Sequence, residues 1–212
     1  MRNPIKTSPA ILGLIAFAAL AWSHPAVAQS GELALGSRLP LASLQRQNAS
    51  GGQGSLGALG GSKGTVVVFW SNVCPWAGKY SGRLATLAQT YGAQGFGFIL
   101  VNSNDPVAFP KESAAESQNY TRQNGLSVTY LMDPDGQLAN AFGATRTPHV
   151  FVFDGNGTLA YVGTIDDSPG DPNNVQVQYL KSALDAIAAG NDVSQPHTKA
   201  FGCMIHMQSA GR

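Results

Sequence analysis

The feature that most constrains the fold is the run TVVVFW at residues 65–70, which is followed four residues later by a cysteine and a proline. Its continuous β-branched and aromatic side chains are typical of a strand that is buried on both faces. Beyond Pro75, apolar residues recur at spacings of three and four: Trp76, Tyr80, Leu84, Leu87 and Tyr91. That spacing places them on one face of a helix. The sequence therefore predicts a buried strand that leads directly into a helix packed on a sheet.

Further strands and helices alternate along the rest of the chain. The predicted strands lie at residues 95–103 and 127–133, with a hairpin at 149–163 and, in the loose segment before residue 64, at most a short strand near 41–44. The later helices are predicted at residues 111–124, 136–143 and 175–189. Strand–helix–strand units give parallel neighbours, and the late hairpin adds antiparallel strands. The predicted fold class is therefore α/β, with a mixed central sheet that is covered by helices on both faces.

Residues 1–28 have the organisation of a secretory signal peptide. Arg2 and Lys6 precede an apolar stretch at residues 10–22, and the small residues at 26–28 suit a cleavage site. That stretch is shorter than the about 20 residues that a bilayer span needs. We therefore expect cleavage and a periplasmic or secreted protein, with an uncleaved anchor as the alternative. The expected domain occupies residues 29–190, and a tail follows at 191–212.

The charge balance argues against nucleic acid as a partner. Arg2 and Lys6 are two of the 13 basic residues, so 11 remain after cleavage against 12 acidic residues. No basic stripe is left that could follow a phosphate backbone. We also expect no stable membrane span, because no second apolar stretch is long enough.

Cys74 lies at a place where thiols become reactive. It follows the buried strand and precedes Pro75, which suits the first position of a helix. The partial positive charge of a helix N-terminus stabilises a thiolate and lowers the thiol pKa from its free value of about 8.5. The same place lies at the carboxyl edge of the sheet, where open α/β folds bind ligands. An inert, buried cysteine is the alternative interpretation.

A second motif, ATRTPHVFVFD, begins at Ala144. Its Thr147–Pro148 pair stands directly before a predicted strand, which suits a cis-proline. A trans-proline can also open a strand, so both isomers stay open. His149 is better explained as a packed residue of the core than as a catalytic base.

Together these motifs resemble the thioredoxin-like redoxin superfamily, in particular the exported branch related to the alkyl hydroperoxide reductase and thiol-specific antioxidant (peroxiredoxin-like) proteins. The matching segments are VVVFWSNVCPW, VNSNDP, TPHVFVFDGNGTLAYVGTIDD and FGCMIHM. The resemblance implies a thioredoxin-like three-layer α/β/α sandwich and a thiol-dependent oxidoreductase. Its substrate would be a peroxide or a thiol/disulfide, its reductant an external thiol, and it would need no cofactor and no metal. The implied substrate-binding residues are Pro75, Trp76, Thr147 and Pro148.

One position departs from the Cys-x-x-Cys-Pro pattern that is common among these relatives, because Ser71 replaces the first cysteine. A thioredoxin-type cycle needs both sulfurs within one turn, and Cys74 alone cannot complete it. Peroxiredoxins carry Thr or Ser three residues before their peroxidatic cysteine, so the resemblance favours peroxide reduction, with the Ser71 hydroxyl donating to the thiolate or the peroxide. Their motif also has a proline where Val67 stands here. Arg146 is expected to orient the peroxide and stabilise its leaving oxygen, an ordinary surface arginine being the alternative.

Cys203 has three interpretations. It is a resolving thiol that attacks a sulfenic acid on Cys74, one half of a structural disulfide, or a metal ligand. The recurrence of FGC in the relatives favours a specific role, and residues 191–212 show no regular period. The alternative to catalysis is a thioredoxin-fold protein with a structural Cys74–Cys203 disulfide.

A copper-binding or chaperone protein is a further alternative. Met204, His206 and Met207 follow the second cysteine, and such soft ligands suit Cu(I). Copper chaperones with this fold use two cysteines near the first helix, however, and Trp70 stands at the position of the earlier one. Packing of the methionines on the domain is the simpler explanation.

Overall fold

The computed structural model describes Met1 and residues 31–208, so the predicted signal peptide at 1–28 lies almost entirely outside the described part. The strands are β1 (Arg46–Gln47), β2 (Gln53–Gly54), β3 (Gly64–Phe69), β4 (Phe96–Asn102), β5 (Thr129–Met132), β6 (Arg146–Thr147), β7 (His149–Asp154), β8 (Leu159–Gly163) and β9 (Cys203–Met204). The α-helices are α1 (Leu56–Leu59), α2 (Pro75–Gly92), α3 (Ala114–Gln123), α4 (Gln137–Phe142) and α5 (Tyr179–Ala188). Two 3₁₀ turns lie at Pro110–Glu112 and Pro172–Asn174. No helix within residues 31–208 is long and apolar enough to cross a membrane.

The central sheet has five strands in the order β5-β4-β3-β7-β8. The pairs β3–β4 and β4–β5 are parallel, whereas β3–β7 and β7–β8 are antiparallel. Strand β3, formed by the TVVVFW run, lies at the centre, and all six of its residues are buried. The predicted mixed sheet is confirmed.

Helices cover both faces of this sheet. Val66 and Val68 of β3 belong to a core with buried residues of α2 and α5, while Val67 and Phe69 pack with residues of α1 and α4. Successive residues of a strand point to opposite faces, so one apolar run fills two cores. The three-layer α/β/α sandwich is therefore confirmed.

Helix α2 carries the predicted apolar face towards the core. Its 18 residues begin at Pro75, and Tyr80, Leu84 and Tyr91 are buried. Burial of each such side chain contributes about 1.5–3 kcal/mol to folding. The N-terminus of α2 is therefore held firmly at the carboxyl edge of β3.

The segment before β3 differs from the prediction. No strand forms near residues 41–44, because the chain turns after Pro40 and Leu41 has a positive φ of 49°. A short hairpin of β1 and β2 follows, and α1 then begins after Ser55, whose hydroxyl accepts a hydrogen bond from the amide of Ala58.

Two helices are shorter than predicted. The helix expected at 111–124 begins at Ala114, because Ser113 caps it and a separate 3₁₀ turn precedes it. The helix expected at 175–189 begins at Tyr179. The chain before it is extended, with the amide of Gln176 bonded to the carboxylate of Asp167.

The tail is also more ordered than expected. The amide of Val162 donates to Pro196 and that of Thr198 donates to Val162, which joins the tail to β8. Further on, β9 pairs with β6 in an antiparallel arrangement. A two-residue strand has no period, so the lack of a regular period at residues 191–212 could not reveal this pairing.

A cluster of Glu32, His149 and His197 fastens the N-terminal segment and the tail to the sheet. Glu32 places Oε2 3.0 Å from His149 Nε2 and Oε1 2.8 Å from His197 Nε2. The hydrogen bond with His149 is the largest influence on the pKa of Glu32, and it lowers this pKa. Burial raises the pKa, but the bonds with His149 and His197 together outweigh burial, so the pKa lies below its ordinary value. His149 is only 2% exposed, which confirms that it is a packed residue.

Candidate functional site

The two cysteines form a disulfide. Cys74 and Cys203 are 129 residues apart in the sequence, and their Cα atoms lie 6.0 Å apart. This separation is within the usual range for a disulfide. Cys74 is 3% exposed, whereas Cys203 is half-buried.

Cys74 lies at the N-cap of α2, with Pro75 at the first helical position, as predicted. Its Sγ atom lies 3.1 Å from the carbonyl oxygen of Thr147. A disulfide sulfur carries no hydrogen, so this is a contact in the oxidised form and becomes a possible hydrogen bond only in the thiol. The Thr147–Pro148 peptide is cis, which settles the alternative that the sequence left open.

The tail approaches this place as a strand. In the pairing of β6 with β9, Thr147 lies opposite Cys203 and Arg146 lies opposite Met204. The guanidinium of Arg146 is exposed, and its Nη1 donates to the carbonyl oxygen of Gly202 at 3.2 Å. In this oxidised form Arg146 therefore holds the tail.

Gly202 allows that close approach. Its φ is 151°, and a Cβ added there would overlap the carbonyl oxygen of Thr147. Glycine adopts such a conformation without steric cost, whereas other residues do not. The glycine of the FGC motif thus allows Cys203 to lie this close to Cys74 without a shift of the backbone.

Aromatic contact joins the tail to the first turn of α2. The rings of Trp76 and Phe201 meet edge to face, with centroids 4.8 Å apart. The ammonium of Lys79 lies 5.0 Å from the Trp76 ring. Trp76 is half-buried and Phe201 is 46% exposed, so this contact lies at the rim of the site.

Ser71 reaches Cys74 through the main chain. Its hydroxyl accepts a hydrogen bond from the Cys74 amide at 3.1 Å and donates a short one to Oε1 of Glu112. The hydroxyl hydrogen is therefore directed at Glu112, away from the sulfur. The resemblance to peroxiredoxins implies a different orientation, with the hydroxyl donating to the thiolate or to a peroxide oxygen.

Glu112 is a residue that the sequence analysis missed. It falls in the helix predicted at residues 111–124, which has no apolar face, but it is 1% exposed. Its Oε2 accepts hydrogen bonds from the amide of Asn72 at 2.9 Å and from Nδ2 of Asn102 at 2.8 Å. No local pattern distinguishes this glutamate from its exposed neighbour Glu116, because its burial depends on where the loop after β4 folds.

The network continues into the core. Asn72 donates from Nδ2 to the Ser117 hydroxyl at 2.9 Å and accepts from the Tyr130 hydroxyl at 3.1 Å. Burial, followed by the nearby negative charge of Glu112, raises the pKa of Tyr130 well above its ordinary value. Tyr130 is therefore a neutral donor at physiological pH.

The soft side chains of the tail point to separate environments. Met207 packs against the core on the α4 side, His206 lies with its ring 5.2 Å from that of Phe109, and Met204 is 59% exposed. Within residues 31–208, no group of three or more His, Cys, Asp or Glu side chains is arranged to hold a metal ion.

Comparison with protein families gives a match to the AhpC/TSA family over residues 35–162. No curated protein matches the chain significantly. The matched region includes Cys74 and the cis-proline, and it ends before Cys203.

Solved structures extend the comparison to most of the chain. A protein SMc02350 from Sinorhizobium meliloti is 31% identical, with a TM-score of 0.78, covering 85% of this chain and 98% of that one. A conserved protein from Geobacillus kaustophilus is 28% identical, with a TM-score of 0.78, covering 84% and 94%. Peroxidoxin BcpB from Mycobacterium tuberculosis is 16% identical, with a TM-score of 0.55 and coverages of 73% and 96%. At that identity the likeness concerns the fold, which is thioredoxin-like.

Proposed function

Because this chain belongs to the AhpC/TSA family and has a thioredoxin-like fold, we propose that it is an exported thiol-dependent peroxidase. Cys74 is the sulfur that peroxide oxidises, and Cys203 is the sulfur that resolves the product. The observation that carries the proposal is the disulfide that joins a cysteine at the N-terminus of α2 to a cysteine on a two-residue strand of the tail.

In the first step, the Cys74 thiolate attacks the terminal oxygen of the peroxide. A sulfur–oxygen bond forms, the oxygen–oxygen bond breaks, and the departing alkoxide or hydroxide takes up a proton, which leaves a sulfenic acid. The positive end of α2 favours the thiolate.

The surroundings of Cys74 supply donors for the peroxide. Arg146 bonds to Gly202 only while the tail is docked, so its guanidinium becomes available when the tail leaves. The Thr147 hydroxyl is buried and has no hydrogen-bond partner within residues 31–208. Unpaired buried hydroxyls are uncommon, and a peroxide oxygen would satisfy this one.

In the second step, the Cys203 thiol attacks the sulfenic sulfur. The sulfur–sulfur bond forms, the sulfur–oxygen bond breaks, and water leaves. An external thiol then reduces the disulfide by exchange, and its own sulfurs are oxidised in turn.

The test is steady-state consumption of hydrogen peroxide with dithiothreitol as the reductant. We expect the wild type to consume peroxide and Cys74→Ser to fall to the uncatalysed rate. Full activity in Cys74→Ser would refute the catalytic role. A wild type without activity, whose thermal stability drops when the disulfide is reduced, would favour the structural alternative.

A further inference from the structure

Glu112 is a buried carboxylate without a basic partner. It is 1% exposed, and no Lys, Arg or His within residues 31–208 forms an ion pair with it. It is compensated by neutral donors, namely the Ser71 hydroxyl, the Asn72 amide and the Asn102 side chain. Burial of a carboxylate costs folding free energy even with such donors, and a functional role would explain why this one is buried.

The hydrogen bonds determine how Ser71 is oriented. A carboxylate only accepts hydrogen bonds, so the Ser71 hydroxyl must donate to Glu112. A lone pair of its oxygen then remains for the Cys74 amide, which donates to it at 3.1 Å. The hydroxyl hydrogen is consequently unavailable to the Cys74 sulfur.

We propose that Glu112 is a positioning residue for Cys74 that acts through Ser71. It fixes the Ser71 hydroxyl as an acceptor for the Cys74 amide, and it places a buried negative charge two hydrogen bonds away from that amide. The charge opposes the thiolate that the N-terminus of α2 favours, so the two influences act in opposite directions. This inference rests on the proposed function only in taking Cys74 as the redox sulfur.

Other charged groups near Cys74 are more strongly screened. Arg146 on β6 and Lys79 on α2 are both exposed to solvent. From β5, Tyr130 reaches the network through Asn72 and is neutral. Charges in water interact weakly, whereas a buried charge acts through a medium of lower dielectric. Glu112 is thus the charge expected to affect Cys74 most.

The balance has a consequence for redox chemistry. A thiolate that is stabilised too strongly is a weaker nucleophile, and it makes the corresponding disulfide a strong oxidant. By opposing the helix, Glu112 keeps Cys74 nucleophilic and makes its disulfide less oxidising.

The experiment is alkylation of Cys74 by iodoacetamide as a function of pH, in a Cys203→Ser background. We expect Glu112→Gln to lower the midpoint by about one pH unit, because it removes a buried charge of the same sign as the thiolate. Glu116→Gln is the matched control, since it removes the same charge from an exposed position four residues away, and its midpoint should stay unchanged. A midpoint that is unchanged or raised in Glu112→Gln would overturn the proposal.

Ser71→Ala keeps the proposal testable if Glu112→Gln fails to fold. If the hydroxyl hydrogen of Ser71 points to Glu112, removal of the hydroxyl does not raise the pH midpoint of Cys74 alkylation. A raised midpoint would mean that Ser71 donates to the thiolate, which contradicts the proposal. Neither alkylation measurement uses peroxide. A lack of peroxidase activity would therefore refute the proposed function, whereas the role of Glu112 would still be decided by the alkylation midpoints.

Discussion

The two cysteines of the disulfide are held in contrasting ways. Cys74 caps an 18-residue helix that packs on the core, and it is 3% exposed. Cys203 lies on a strand of two residues, between Phe201 and Met204, which are 46% and 59% exposed. Cys74 is thus part of the framework, whereas Cys203 is held by contacts at the surface.

This difference suits a disulfide that opens and closes. The tail is fastened near Cys203 by the pairing of β9 with β6, the bond from Arg146 to Gly202, and the contact of Trp76 with Phe201. Hydrogen bonds of this kind contribute about 1 kcal/mol each. Once the disulfide is reduced, loss of these contacts would let Cys203 move away from Cys74 and leave α2 intact, while the tail stays attached at Ile205 and His206. Stabilisation is therefore strong on the Cys74 side of the disulfide and weak on the Cys203 side.

The largest effect is expected from Cys203→Ser. Without the resolving thiol, Cys74 should stop at the sulfenic acid, and peroxide turnover should fall at least about tenfold when the reductant is limiting. Dimedone should label Cys74, and excess peroxide should drive it to the sulfinic acid, both measurable by mass spectrometry. Unaltered turnover would show that Cys74 works alone in a one-cysteine cycle.

Removal of one core contact should affect stability much more than removal of a tail contact. Leu84 is fully buried, and Leu84→Ala should lower the free energy of unfolding by about 3 kcal/mol, in the oxidised and the reduced protein alike. Phe201→Ala, its counterpart on the tail, should cost less than about 1 kcal/mol. Urea unfolding measures the free energy of both variants. Equal losses would contradict the view that the Cys74 side is held more strongly than the tail.

Much of the Cys74 side follows from the sequence, and much of the Cys203 side does not. Strand β3 and helix α2 are marked by local patterns, an apolar run and a regular spacing. The pairing of β9 with β6 joins residues that are more than fifty positions apart, and two-residue strands have no period. The burial of Glu112 depends on loop packing in the same way. Sequence analysis thus recovers what neighbouring residues determine, and misses what distant segments determine together.

Gly202→Ala tests the fit of the tail. Because the new Cβ would overlap the Thr147 carbonyl oxygen, the disulfide should form at least about tenfold more slowly after oxidation of Cys74. The matched control is Gly190→Ala. Gly190 also has a positive φ, of 73°, but a Cβ added there would meet open space. Stopped-flow tryptophan fluorescence can follow both, and equal rates would show that the close approach at Gly202 is unimportant.

Glu32→Gln tests a part of the tail that lies away from the cysteines. The lowered pKa of Glu32 means that its charged form stabilises the fold above the ordinary value of 4.5, and that this stabilisation disappears as the pH falls through the lowered pKa. Its side chain is 31% exposed, so solvent screening limits the loss in Glu32→Gln to about 1 kcal/mol at neutral pH. Between neutral pH and about pH 3, the temperature of thermal unfolding should fall less steeply with decreasing pH in the variant than in the wild type. The same pH dependence in the variant and the wild type would exclude stabilisation of the fold by the charged form of Glu32.

A single-turnover titration of the reduced wild type with one equivalent of hydrogen peroxide tests whether the Cys74–Cys203 disulfide is a catalytic state. Mass spectrometry of the intact protein and its peptides should show loss of two hydrogens and stoichiometric formation of the Cys74–Cys203 disulfide, without accumulated sulfenic acid. If both thiols stay free while the peroxide persists, the disulfide is structural, and the contrast between the two cysteines has no catalytic meaning.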